Sequence, residues 1–103
     1  MERERDTERR LRREIERLGG TLMKFVSPGN DGVPDRVALL PDGRIFFVEL
    51  KTPAGKLSPV QKFQIAKLRK LGQTVRIVYG KEGAEELLAD LRREVKPREV
   101  HTS

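Results

Sequence analysis

Residues 32–51, GVPDRVALLPDGRIFFVELK, constrain this chain more than any other stretch, because one turn within them decides which side chains share a face. Two apolar runs, 35–40 and 44–51, flank Pro41-Asp42-Gly43. Proline presets the φ that a type I turn needs, and glycine tolerates the left-handed region. LPDGR therefore suits a three-residue hairpin loop that closes in a G1 bulge at Gly43. Leu40 then opposes Arg44, and Asp35 opposes Glu49. A two-residue loop at Asp42-Gly43 would instead pair Pro41 with Arg44 and send Asp35 and Glu49 to opposite faces, since side chains alternate along a strand. In the favoured register one face carries Asp35, Val37, Leu39, Ile45, Phe47, Glu49 and Lys51. The other carries Arg36, Ala38, Leu40, Arg44, Phe46, Val48 and Leu50. Both are largely apolar, so the hairpin is expected inside a sheet with cover on both sides.

The remaining segments supply that cover and two more strands. Residues 2–18 read as a charge-dense helix with a narrow apolar stripe at Leu11, Ile15 and Leu18, stopped by Gly19-Gly20. Residues 21–26, TLMKFV, form a first strand, and 27–34 a loop crowded with turn residues. Ser58 is a good N-cap with Pro59 at the first helical position, opening a second helix that runs to Leu71 before Gly72. Residues 74–79 alternate as a last strand. A third helix over 81–93 places Ala84, Leu87, Leu88 and Leu91 on one stripe. The order α-β-β-β-α-β-α predicts an α/β fold, a mixed four-stranded sheet flanked by helices, with a parallel crossover from the third strand to the fourth. At 103 residues the chain has room for one domain, expected over 1–93, with 94–103 as a flexible tail.

The charges at the open end of the hairpin are out of place in a sheet. Asp35 beside Glu49 brings repulsion and lost hydration, which a fold avoids unless a cation sits between them. Lys51, two residues along the same face, supplies one positive charge, and a divalent metal would supply the rest. For an arbitrary hairpin the alternative is a pair of solvated strand ends with Lys51 as a surface ion-pair partner. Glu8 adds a third carboxylate. It precedes Leu11, Ile15 and Leu18 at helical spacings and so lies on the stripe facing the sheet, although the helix dipole also favours an acid there. Gln61 completes an S-x-x-Q capping box with Ser58 and also shares a helix face with Ile65 and Leu68, so a cap and an inward-facing role both stand.

Composition narrows the chemistry. The absence of cysteine removes disulfides, thiolate metal sites and cysteine nucleophiles together. The only histidine, His101, falls in the polar tail. Any metal is therefore held by oxygen, which favours Mg²⁺ or Mn²⁺ over Zn²⁺. With 22 Lys and Arg against 16 Asp and Glu, the net charge of +6 points to an anionic partner, nucleic acid first and a membrane surface second. No apolar targeting segment opens the chain and no run approaches membrane-spanning length, which points to a cytosolic protein. Arg9, Arg10, Arg12, Arg13 and Arg17, with Lys24, Lys56 and Lys62, are candidates for phosphate contacts that do not read sequence. Their alternative is a solvated surface laced with i,i+4 pairs such as Glu8 with Arg12. With no Trp and one Tyr, base stacking is expected to be minor, and recognition to run through backbone and shape.

GVPDRVALLPDGRIFFVELK followed by SPVQ resembles the VRR-NUC branch of the PD-(D/E)XK nucleases, particularly its small stand-alone phage and bacterial members. Pro34-Asp35 match the PD, and Glu49-Leu50-Lys51 match the (D/E)XK. ERRLRREIERLGG resembles the family's first helix with Glu8 at its acidic position, and Gln61 falls where the family has a glutamine. The resemblance covers roughly residues 8–91 and implies a restriction-endonuclease-like core. It further implies an endodeoxyribonuclease that uses Mg²⁺ or Mn²⁺, held by Asp35, Glu49, the Leu50 main-chain carbonyl and Glu8 through water. Lys51 would act on the attacking water, and Gln61 would position water or the metal shell. Small members of this kind resemble Holliday-junction resolvases, which implies a homodimer acting on four-way or other branched DNA in a bacterial cytosol or a phage-infected cell. A less selective nicking enzyme and a basic nucleic-acid-binding module that never cuts are the rivals.

Overall fold

The structure is a computed structural model and describes residues 2–96. Residues 97–103 of the expected tail, His101 among them, lie outside the described residues. Three helices and four strands follow in the expected order: α1 (Glu4–Arg17), β1 (Thr21–Lys24), β2 (Arg36–Leu39), β3 (Ile45–Lys51), α2 (Pro59–Lys70), β4 (Val75–Tyr79) and α3 (Gly80–Glu94). They form one mixed sheet in the order β1-β2-β3-β4. β2 is antiparallel to both β1 and β3, and β4 runs parallel to β3.

The turn has the expected geometry. The Gly43 N–H donates to the Leu40 carbonyl at 3.0 Å and the Leu40 N–H to the Arg44 carbonyl at 2.9 Å. Gly43 sits at φ 91°, in the left-handed region open to glycine. The Asp42 carboxylate accepts from the Arg44 N–H at 3.1 Å and from its Nε at 2.9 Å, which ties the loop to the next strand. Arg36 pairs with Val48 and Leu39 with Ile45. One further step along that register places Asp35, just ahead of β2, opposite Glu49.

Alternation then allots the two faces. Ala38, Leu40, Phe46, Val48 and Leu50 are buried and join one core with Leu11 and Ile15 of α1 and Leu87, Leu88 and Leu91 of α3. The helical stripe of α3 is thus wholly inward, and Val95, just past its end, also packs on the core. The other face differs from expectation. Only Ile65 of α2 is buried, while Phe63 is 64 % exposed and Ile45 on the sheet is 58 % exposed. The physical reason is that α2 packs against β4 with only Ile65 and Leu68 as apolar residues on the inward side, beside Gln61, which leaves the β1-β2 half of this face open. β1 also ends at Lys24 rather than at Val26, because the chain leaves the ladder after the Phe25 N–H donates to the Asp35 carbonyl at 2.9 Å.

Gly32 settles where α2 docks. It holds φ +85°, and a Cβ there would lie 2.8 Å from both the carbonyl carbon and oxygen of Val60. The loop before Asp35 and the first turn of α2 therefore touch backbone to backbone. Gly32→Ala should cost about 3 kcal/mol or more from strain and clash together, whereas Gly43→Ala, where a Cβ meets open space, should cost about 1 kcal/mol. Chemical denaturation of the two variants checks this ranking.

Candidate active site

Glu49 is the most unusual side chain in the sheet, a glutamate only 4 % exposed in a central strand. Burial first, and then the negative charge of Asp35, push its carboxyl up to about 7, with Lys51 and Arg36 pulling the other way. That influence agrees with the register, which sets Asp35 opposite Glu49 and puts Lys51 on the same face. Gln61 reaches the same carboxylate: its Nε2 donates to Glu49 Oε1 at 3.1 Å. Its Oε1 meanwhile accepts from the Ser58 N–H at 2.9 Å, and its own N–H donates to Ser58 Oγ at 3.2 Å. The cap and the inward role are therefore two ends of one amide. Because the carbonyl end is committed to the cap, Gln61 offers the site only a donor.

Asp35 carries a different signature. Its Oδ1 is buried and has no hydrogen-bond partner among the described residues. Oδ2 lies 3.5 Å from Arg36 Nη1, which also donates to the Asp35 carbonyl at 3.0 Å. Arg36 continues across the edge to α1, with its Nε 3.9 Å from Glu8 Oε1. Glu8, 14 % exposed at its side chain, flanks the stripe that Thr7, Leu11 and Ile15 bury, and it also pairs with Arg12 at 3.3 Å. Glu4, Arg5, Glu8, Asp35, Arg36 and Leu50 line an open cleft of about 410 Å³ at the end of the hairpin.

These residues fit a hard divalent cation. An orphaned inward carboxylate oxygen beside a glutamate whose ionisation is penalised is an arrangement that a cation relieves, and every available donor is oxygen. Among the described residues no three Asp, Glu or His side chains converge closely enough to hold a metal unaided. Two carboxylates, a main-chain carbonyl and water are the set that suits Mg²⁺, which keeps several waters.

The basic candidates divide into separate groups. Arg9, Arg10, Arg13 and Arg17 line a groove on α1 together with Asp6 and Glu14. Arg10 pairs there with Glu85, and Arg17 with Glu14 at 3.1 Å. Arg17 lies roughly 13 Å along the helix axis from Glu8, so this groove extends away from the acids. Lys56 and Lys62 meet in another cleft with Tyr79. Lys24 is exposed at the end of β1, paired in register with Arg36. Sequence reasoning did not single out Arg36, Gly32 or Tyr79. Arg36 was legible as a charge at the open end of a face that is otherwise apolar up to Arg44 at the turn, but the other two depend on where α2 docks.

The mixed sheet flanked by helices is also the architecture of known nuclease domains. The VRR-NUC domain model matches residues 3–82. A phage protein named "Putative nuclease p44", from Acyrthosiphon pisum secondary endosymbiont phage 1, is 48 % identical over 73 residues, 71 % of this chain and 78 % of that protein. A solved VRR-NUC domain superposes with a TM-score of 0.78 at 31 % identity, covering 84 % of this chain and 94 % of the other. The chain belongs to the VRR-NUC family of nucleases. No helix among the described residues is long and apolar enough to cross a membrane.

The raised Glu49 carboxyl makes stability depend on pH. Between the ordinary value of 4.5 and about 7 the folded state binds the Glu49 proton more tightly than the unfolded chain does. The associated stability is present below pH 4.5 and is lost as pH rises through 7, a change of about 3 kcal/mol. In EDTA, wild type should therefore lose stability across that window while Glu49→Gln stays flat, as urea titrations from pH 4.5 to 8 would record.

Proposed function

We propose that this chain is a divalent-metal-dependent DNA endonuclease that hydrolyses phosphodiester bonds in branched DNA, four-way junctions first, as a homodimer. The observation that carries the reading is the unpartnered Asp35 Oδ1 set opposite a buried Glu49, with Lys51 on the same face. Two symmetric cuts in a junction need two sites, and one chain of this size carries one, hence the dimer.

Asp35 and Glu49 would hold the cation with the Leu50 carbonyl, and Glu8 would contribute through water from the α1 side of the cleft. Mg²⁺ or Mn²⁺ held there would supply Lewis acidity toward the phosphodiester and water. Lys51 orients that water and offsets the charge that grows on the phosphate in the transition state. Gln61 donates to Glu49 and fixes which way its carboxylate faces. The net charge of +6 favours a polyanionic substrate, with affinity that falls as salt rises.

Labelled four-way, flap and linear DNA incubated with Mn²⁺ or Mg²⁺ tests this directly. Wild type should cut branched substrates preferentially. Asp35→Ala, Glu49→Ala and Lys51→Ala should each lose on the order of a hundred-fold or more in rate, as expected when a transition-state contact is removed. Intact substrates with wild type, or equal cutting by the variants, would reject the assignment and leave a binding module.

Gln61→Glu separates cap from site, since glutamate also completes a capping box. The variant should fold as stably as wild type in metal-free buffer at pH 5 and yet cut at least about ten-fold more slowly, because it sets a third acid against Glu49. Thermal melts give a readout independent of cutting. Mn²⁺ should raise the Tm of wild type at pH 7.5 more than at pH 5, where Glu49 keeps its proton, and should leave Glu49→Gln unmoved.

A further inference from the structure

On the opposite side of β3 from Asp35 lies a second cleft, of about 260 Å³, lined by Gly55, Lys56, Leu57, Lys62 and Tyr79. It has no lining residue in common with the cleft at Asp35, but it adjoins Lys51. Tyr79 is the direct partner of Lys51 in the parallel ladder, so its side chain leaves the sheet on the same face as Lys51 and Glu49. Gly55 folds back on Lys51, such that a Cβ added there would lie 3.3 Å from Lys51 Cβ. Lys62 follows Gln61, which holds Glu49.

The chemistry of this cleft is mixed in a particular way. Tyr79 is 39 % exposed, so part of its ring is free, and Leu57 adds an apolar wall. Neither Lys56 nor Lys62 makes an ion pair with any other described residue. Two uncommitted ammonium groups beside an accessible aromatic ring match one phosphate and one base face. Inside a duplex every base is covered by its neighbours, so a ring can stack only on a base that has left the stack. Such nucleotides occur where strands part.

The geometry points to a subsite for one unpaired nucleotide of the DNA strand, next to the phosphate being cut, with its base on Tyr79 and its phosphate between Lys56 and Lys62. This rests on the nuclease reading above and deepens it, because it gives branched DNA an advantage that a perfect duplex cannot share. Stacking is then confined to one ring at one position.

Fluorescence anisotropy in EDTA tests the subsite without cutting. The probes are a perfect duplex, the same duplex with one unpaired nucleotide at a branch, and that branched DNA with an abasic residue at the unpaired position. Tyr79→Ala should weaken branched DNA binding about ten-fold while leaving the duplex within about two-fold, and Tyr79→Phe should bind as wild type. The abasic residue should cost wild type the same ten-fold and cost Tyr79→Ala nothing further, a comparison that needs no altered protein for its first arm. Lys56→Ala with Lys62→Ala, which together hold one phosphate, should lower the slope of log affinity against log salt by about 0.7 to 0.9.

Unchanged discrimination in Tyr79→Ala, a persisting abasic penalty in that variant, or an unchanged salt slope would each overturn the subsite. Parallel Mn²⁺ cleavage assays separate the two readings. If wild type cuts and the variants discriminate as it does, only the subsite falls. If wild type neither binds nor cuts any DNA, the nuclease reading falls with it.

Discussion

The pairing of Asp35 with Glu49 rests on the hydrogen-bonded turn at Leu40 and Arg44. Gly43 in the left-handed region closes the loop, and the ladder that follows is locked because a one-residue slip would exchange the faces of both strands. Such a slip would put Val48 and Leu50 toward the half-open side and Glu49 into the apolar core against α1 and α3. The buried area on that side thus enforces the register, and the register in turn fixes the acid pair. Folding and function draw on the same few residues.

The two faces of the sheet are treated unequally, and the inequality is what leaves room for chemistry. α1 and α3 close one side with aliphatic side chains at near-zero exposure. α2 covers the other side thinly and points Gln61 inward, so Glu49 is desolvated without being neutralised. A glutamate pushed up to about 7 opposes folding at neutral pH. The surrounding structure tolerates that penalty, a local conflict of the kind that concentrates at functional sites. Arg36 moderates it from the other side of the hairpin, holding Asp35 while reaching Glu8 on α1, so the acids are spanned by a cation even before any metal is considered.

The same unequal cover organises the basic surface. Arginines on α1 are spent partly on Glu14 and Glu85, which fasten that helix to itself and to α3. Lys56 and Lys62 keep their charge available beside the site, next to a tyrosine whose neighbour in the ladder is Lys51. Composition alone made every one of these residues an equal candidate. Their division into a groove leading away from the acids and a cleft adjoining them follows from which helix each one rides on.

The sequence by itself determined the order of the elements, the hairpin register and the face of each hairpin residue, because these follow from local rules: turn chemistry, strand alternation and helix periodicity. It also made Asp35, Glu49 and Lys51 legible as a group, since that grouping needs only the turn and the period of two. Only the tertiary structure decided the rest. That α2 lies over β4 and leaves Ile45 exposed, that Gln61 serves its cap and Glu49 at once, that Gly32 touches Val60, and that Tyr79 opens beside Lys51 all depend on where one helix comes to rest. That placement is set by contacts between segments distant in the chain, and no local spacing encodes it.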